Sequence, residues 1–275
     1  MDTASGAVRE VVGRLDLTFA ATRAGTVLAE AHVRAPLKIV RPFELEDGRV
    51  LVQILHLGPG LCAGDVYAID VTVQAGARVV VIMQSASRVL GMPVRTLASQ
   101  TVRLNVEDDG HLEYYPGLTI PFADSSFVQR VQVNAARNSR VGILETWGTG
   151  RSLRGEHLAF RKISNRTTVC VDGDIVYADA MELQPATNDL AGTGVLDGYR
   201  YVGSGYWHNV ALDRGRTLSN REGAIAAFGA STADSVYLRA LAMDGCAMAE
   251  TASEAVRVVN AAWGLAPITF ARFTA

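Results

Sequence analysis

The sequence predicts a mainly β protein of layered, stacked strands, close to a β-solenoid, with a few helices that include one at the C-terminus. Three observations carry this. Period-two alternation dominates the first two-thirds of the chain. Glycine- and Asx-rich turn signals interrupt it repeatedly, at Asp47-Gly48, Ala75-Gly76, Asp108-Asp109-Gly110 and Asp172-Gly173 among others. Finally, the segments around Val73, Val106 and Val133 each read strand, short polar turn, strand, at spacings of 33 and 27 residues, as successive coils would.

Taken in order, Leu15, Leu17 and Phe19 alternate with polar neighbours, and Val27, Ala29, Ala31 and Val33 oppose Glu30, His32 and Arg34. Each pattern fits a strand with one buried face. Val50 to Leu55 and Arg78 to Met83 are nearly continuous apolar runs, as expected of strands covered on both faces. Tyr67, Ile69, Val71 and Val73 alternate again, as do Val102, Leu104 and Val106. Residues 186–222 are rich in Gly, Asn and Asp without a sustained period and read as a functional or mobile loop region. A short helix is expected around Gly223 to Gly229. From about Cys246 to Trp263, Ala252, Ala255, Val256, Val259 and Trp263 share one helical face, and Gly264 and Pro267 end the helix. No Pro/Ser linker divides the chain, so residues 1–12 are expected as a flexible N-terminus and 13–275 as a single domain.

A chain of 275 residues with 49% hydrophobic and 20% charged side chains can bury a large core without staples. The net charge of -2 argues against a nucleic-acid or anionic-membrane binder. Cys62, Cys170 and Cys246 are odd in number and widely spaced, and no paired Cys or His spacing of a structural zinc site occurs. No apolar leader or 18-residue apolar run appears, so a cytoplasmic location is expected.

The densest special segment is His56-Leu-Gly-Pro-Gly-Leu-Cys-Ala-Gly-Asp65. Gly58, Pro59, Gly60 and Gly64 fit a tight β-arch, or a backbone cradle for an anion. A phosphate loop would end in Gly-Lys-Ser/Thr, where Gly64-Asp65 stands, and a carboxylate there repels phosphate. Cys62 and His56 could supply a nucleophile and base, or metal ligands, against the plainer reading of Cys62 as a small buried hydrophobe. The second cluster, Gly150-Arg-Ser-Leu-Arg-Gly155-Glu156-His157, follows Glu145 in an apolar strand. Glu145 facing inward would need a partner or a water-filled passage. Otherwise Gly150 and Gly155 bound a solvated turn with a salt bridge. No Gly-x-Ser-x-Gly or ordered Ser-His-Asp set is present.

The motif series resembles the UreD (UreH) family of urease accessory proteins. The matching stretches are Arg34-Ala-Pro-Leu-Lys-Ile-Val-Arg-Pro-Phe43, Leu55 to Asp65, Gly76-Ala77, Gln84-Ser-Ala-Ser-Arg-Val89, Leu112-Glu-Tyr-Tyr-Pro116, Ile120-Pro-Phe-Ala-Asp124, Gln129, Gly150-Arg151 with Gly155-Glu156, and Arg272-Phe273 after the last helix. The likeness runs in order over roughly residues 13–274. Two departures are Pro59-Gly60, where the family usually has Gly-Gly, and Ser87-Arg-Val-Leu90, where Thr-Lys-Val-Tyr is common.

The resemblance implies a β-helix-like body and no catalysis. It implies a scaffold that joins apo-urease to a helical, UreF-like accessory protein and a nickel-carrying, UreG-like GTPase, and that assists nickel insertion, with no permanently bound cofactor and nickel only in transit. Asp65 and Glu156 are the leading passage-lining or turn-holding residues, followed by Cys62, His56, Glu145 and Asp124. The C-terminal helix, through Val256, Val259 and Trp263, and the 186–222 region are expected docking surfaces. The rival readings are a Cys62/His56 hydrolase or transferase and a purely structural adaptor.

Overall fold

The computed structural model describes residues 12–212, 218 and 222–268. The expected N-terminal extension, apart from Val12, and Arg272-Phe273 lie outside the described residues. A hairpin of β1 (Val12–Thr22) and β2 (Gly25–Arg34) leads through short β3 (Leu37–Ile39) and β4 (Phe43–Glu44). The coiled body follows as β5 (Val50–His56), β6 (Val66–Val73), β7 (Arg78–Met83), β8 (Ser87–Val89), β9 (Ala98–Val106), β10 (His111–Pro121), β11 (Ser126–Ala135), β12 (Arg140–Gly148) and β13 (Lys162–Val171). Then come β14 (Asp174–Leu183), β15 (Tyr201–His208), β16 (Ala224–Thr232), β17 (Ser235–Ala242) and the helix α1 (Gly245–Ala262).

The strands form two facing sheets. A seven-stranded sheet runs β14-β13-β11-β9-β6-β1-β2. A ten-stranded sheet runs β16-β17-β15-β12-β10-β7-β5-β3, with β4 on β5 and β8 on β10. The inner strands of both are parallel, and the chain alternates between sheets, so each pair of strands is one coil. At each flank the parallel stack meets an antiparallel strand: β2 on β1, β14 on β13, β3 on β5 and β15 on β12. The expected coils are present, with one shift of register. Val73 pairs Val106, but the third member of that row is Ala135, because Val133 pairs Leu104.

The main core lies between the sheets and holds Leu15, Leu17, Phe19, Ile69, Val71, Val102 and Leu104. A second core lies on the other face of the ten-stranded sheet, under α1. That explains the continuous apolar runs of β5 and β7: Val52 and Val81 enter the first core, Leu51, Val80 and Ile82 the second. Asp179 of β14 and Arg239 of β17 clasp the sheets at one edge, with the Arg239 Nη1 donating to Asp179 Oδ2 at 2.8 Å.

Four expectations need correction. β2 forms, but its face in register with buried Leu15 and Leu17 is not covered, so Val33 stays 41% exposed. The 186–222 region contains β15; Gly203 and Gly205 hide its alternation because the Met248 and Trp207 side chains occupy the space a Cβ would fill. Residues Gly223 to Gly229 are not helical: from Ala224 they pair with β17, and the Tyr237 ring lies where Gly229 would carry a side chain. Alanine's helical propensity yields there to strand pairing. The helix itself forms, capped by Asp244, whose carboxylate accepts the Ala247 N–H at 2.9 Å. However, Val256, Val259 and Trp263 are buried in the second core, so the chain itself occupies the face expected to dock a partner. No helix among the described residues is long and apolar enough to cross a membrane.

The coils have two unlike ends. Turns from the seven- to the ten-stranded sheet are short, at 74–77, 107–110 and 136–139. The returning arcs, at 57–65, 84–97, 122–125 and 149–161, are mostly longer and carry the two glycine-rich clusters, Gly58 to Gly64 and Gly150 to Gly155.

Candidate functional site

The arch at 56–65 is built by its own backbone. Gly60 has φ +146°, and a Cβ there would stand 2.4 Å from the Arg88 carbonyl oxygen, so only glycine lets the two arcs cross. Leu61 N–H then donates to that carbonyl at 2.8 Å, and Leu90 N–H returns to Leu61 O at 2.9 Å. Asp65 is buried, and its Oδ2 accepts the Cys62 N–H at 2.7 Å and the Tyr67 hydroxyl at 3.1 Å. It closes the arch as an Asx-type bond closes a turn.

Cys62 and His56 do not form a nucleophile–base pair. His56 Nε2 is hydrogen-bonded to the Tyr67 hydroxyl at 2.6 Å, and Cys62 Sγ points to the Gly60 carbonyl at 3.7 Å. Burial, with help from the Asp65 charge, pushes the Cys62 thiol up, away from thiolate. Burial also lowers His56 below the usual imidazole range, against the pull of Asp65.

The most unusual feature of the interior is a row of polar side chains in one register. Tyr67 of β6 pairs Gln100 of β9, Gln100 pairs Gln129 of β11, and Gln129 pairs Asn165 of β13. Gln100 Nε2 donates to Gln129 Oε1 at 2.9 Å, and Gln129 Nε2 to Asn165 Oδ1 at 3.2 Å. Glu145 reaches in from β12 of the facing sheet and is 3% exposed. It accepts hydrogen bonds from Gln129 Nε2, Asn165 Nδ2 (3.0 Å) and Thr167 Oγ1 (3.0 Å). Burial raises the Glu145 carboxyl above the usual range, although these donors oppose the shift. Two narrow cavities flank the row, one lined by Tyr114, Thr119, Gln129 and Glu145, the other by His56, Tyr67 and Arg88. Both reach Leu61, Met83, Ser87 and Gln100.

Glu156 holds the second cluster. Its Oε2 accepts the Ala123 N–H at 3.2 Å and Arg151 Nε at 2.8 Å. The hydrogen bond from Arg151 holds its carboxyl below the usual range. The Arg151 guanidinium lies 4.0 Å from the Phe122 ring centroid. Gly150 (φ +141°) passes so close to the Glu156 carbonyl that a Cβ would be 2.6 Å away. Gly155 ends the single turn Ser152–Arg154 in the left-handed region.

The six acidic, Cys and His candidates therefore divide. Asp65, Cys62 and His56 share the arch with Tyr67; Glu145 sits in the polar row; Glu156 and exposed Asp124 belong to neighbouring arcs, linked by Glu156 to Ala123. No three His, Cys, Asp or Glu side chains among the described residues are grouped to hold a metal ion. Gln100, Asn165 and Thr167 were not among the candidates. Their signal is a polar residue at the buried phase of an alternating strand, as Gln100 stands between Ala98 and Val102 and Asn165 between Ile163 and Thr167.

A second buried charge cluster lies under α1. Arg49 is ion-paired with Asp47 and Glu113, and Arg49 Nη2 donates to Ala266 O at 2.6 Å. His111 Nε2 is 2.8 Å from Glu113 Oε1, and the Tyr115 hydroxyl donates to Glu113 Oε2 at 2.8 Å. Burial pushes Glu113 up, but His111, Arg49 and Tyr115 outweigh it and hold the carboxyl ionised. Burial keeps His111 below its usual range.

Residues 11–274 match the family model described as UreD urease accessory protein. The chain is 34% identical over 267 residues to a urease accessory protein UreD of Deinococcus radiodurans, covering 96% of each. It is 40% identical over 199 residues to the urease accessory protein UreD 1 of a Synechococcus strain, covering 72% of this chain and 74% of the relative. A urease accessory protein UreD 2 of Streptomyces griseus is 32% identical over 199 residues, covering 70% of this chain and 68% of that one.

Proposed function

The chain belongs to the UreD urease accessory protein family, and from that premise we propose that it is a non-catalytic, cytoplasmic scaffold for urease maturation. It joins apo-urease to a helical, UreF-like protein and a nickel-carrying, UreG-like GTPase, and helps nickel reach the urease site. The observation that carries the nickel part of this reading is the row from Tyr67 to Asn165 with Glu145 above it. A buried carboxylate among amide and hydroxyl groups is costly in an apolar interior and needs a reason. One carboxylate with neutral oxygen donors binds a divalent cation weakly, which suits cargo that must leave again. Asp65 and Glu156, each accepting backbone N–H groups, serve in this reading as braces of the arcs around the row. The hydrolase alternative finds no support in the arch, where His56 is turned to Tyr67 and the Cys62 thiol is pushed up.

The test is nickel per urease active site after co-expression of the urease subunits and accessory proteins with or without this chain. Occupancy and activity that rise only with the chain support the scaffold; unchanged occupancy beside a folded chain overturns it. Glu145→Leu separates the two non-enzymatic readings. Assembly kept with nickel loading lost supports traffic along the row, whereas full loading leaves a purely structural adaptor.

A further inference from the structure

We propose that the arc-bearing end of the coils is a docking face for an acidic protein surface, with Leu153 as its apolar anchor. The inference rests on the scaffold reading above and gives it a location.

Leu153 is 103% exposed at the tip of the turn Ser152–Arg154. Exposed leucines are ordinary on surfaces, but this one is held rigidly out. Arg151 stacks on Phe122 and pairs with Glu156, Glu156 accepts the Ala123 N–H, and the Gly155 N–H closes the turn on Ser152 O at 3.1 Å. A side chain fixed in advance loses little conformational freedom on binding. The neighbouring arc adds Val94, 77% exposed, and Leu97, 47% exposed. It is tied to its neighbours by Gly64 N–H to Leu97 O at 3.0 Å and Arg161 Nη2 to Pro93 O at 2.9 Å.

Charge names the occupant. Arg88, Arg95 and Arg154 are exposed on these arcs, and none pairs with a carboxylate among the described residues. Asp124 is the one exposed carboxylate on the four arcs; Asp189 and Asp197 enter only with the 184–200 segment. At the opposite end, Glu107, Asp108 and Asp109 are exposed on a single turn. A chain of net charge -2 has thus gathered three arginines without carboxylate partners around apolar tips, at an end whose four arcs expose a single carboxylate. Such a face steers and orients an acidic partner. The cavity at His56 and Tyr67 also reaches Arg88, so this is the end onto which the polar interior abuts. That favours apo-urease as the acidic surface.

The experiment measures binding of the full chain, co-expressed with the accessory proteins, to purified apo-urease. Leu153→Asp and the double reversal R95E/R154E are compared with a charge-reversal control at the other end, D108K/D109K, all at matched unfolding midpoints. Each arc variant is expected to weaken the complex tenfold or more, and the acidic-end variant to bind as wild type. Wild-type affinity in both arc variants overturns the inference and leaves the scaffold reading intact. A wild-type chain that never binds apo-urease overturns both. Arc variants that abolish self-association while binding urease normally assign the face to a second copy and overturn the choice of partner.

Discussion

The two ends of the coils solve the same problem, reversing the chain between sheets, with different chemistry. The short turns use Asp, Asn and Gly, and stack through bonds such as Gly76 N–H to Asp108 O at 3.0 Å and Asn138 Nδ2 to Asp109 Oδ1 at 3.2 Å. They sit beside the buried Arg49–Glu113–His111 cluster that pins the end of α1. The arcs instead cross backbone over backbone, lock on glycine, and carry the apolar tips. Stability is anchored by charge at one end and by close approach at the other, and the latter end is the one left free to vary its surface.

The comparison is broken most forcefully at Arg49. Arg49→Met leaves the Glu113 carboxylate buried without its cation and should cost about 3–5 kcal/mol, read as the urea midpoint. A loss under about 1 kcal/mol would mean the cluster is not an anchor. Next, Gly60→Ala forces Arg88 O away and should cost about 3 kcal/mol. Gly173→Ala at the other end has an open Cβ position and only a positive φ, so about 1–2 kcal/mol is expected. Equal losses would erase the distinction between the ends. In the interior, Glu145→Leu orphans the donors of Gln129, Asn165 and Thr167 and should cost about 2 kcal/mol by the same measurement. A gain in stability would show that desolvation of the carboxylate dominates.

The smallest effect is a pH slope of opposite sign at the two sites. His111 has a folded pKa below its usual 6.5, so its contribution is present above that value and is lost as pH falls through it. Glu113, also depressed, acts in the same sense below 4.5. Glu145 is raised, so its ionisation costs stability as pH rises above 4.5. His56, His157 and His208 are lowered by burial as well, so His111→Gln should flatten only part of the loss between about pH 7.5 and about pH 5.5. Equilibrium unfolding at both pH values checks it; an unchanged slope would remove His111 from the account.

Most of the fold was legible because period-two patterns and Asx-Gly turns are local. β5 and β7 read as doubly buried and are so, with Leu51 and Val52 in different cores. What failed was context. β2 alternates like a buried strand but lies at an overhanging edge, and β15 and β16 lose their pattern because glycine accommodates Trp207 and Tyr237. At the site, Glu145 inside an apolar strand was visible as an anomaly. Its row of partners was not, since the register that aligns Gln100, Gln129 and Asn165 spans three strands distant in sequence. Arg49 carries no signal in the sequence, because its partners Glu113 and Ala266 lie far along the chain.

The antiparallel strands at both flanks have one more consequence. A stack of parallel rungs is a growth template: its last strand offers hydrogen bonds in the register that the next rung, or another molecule's rung, would use. Here β2 and β14 reverse direction at the two limits of one sheet, and β3 and β15 bound the parallel stack of the other. A neighbouring molecule therefore meets no parallel rung to copy, and the coil count is fixed by topology. This limits fibrous polymerisation through strand direction itself.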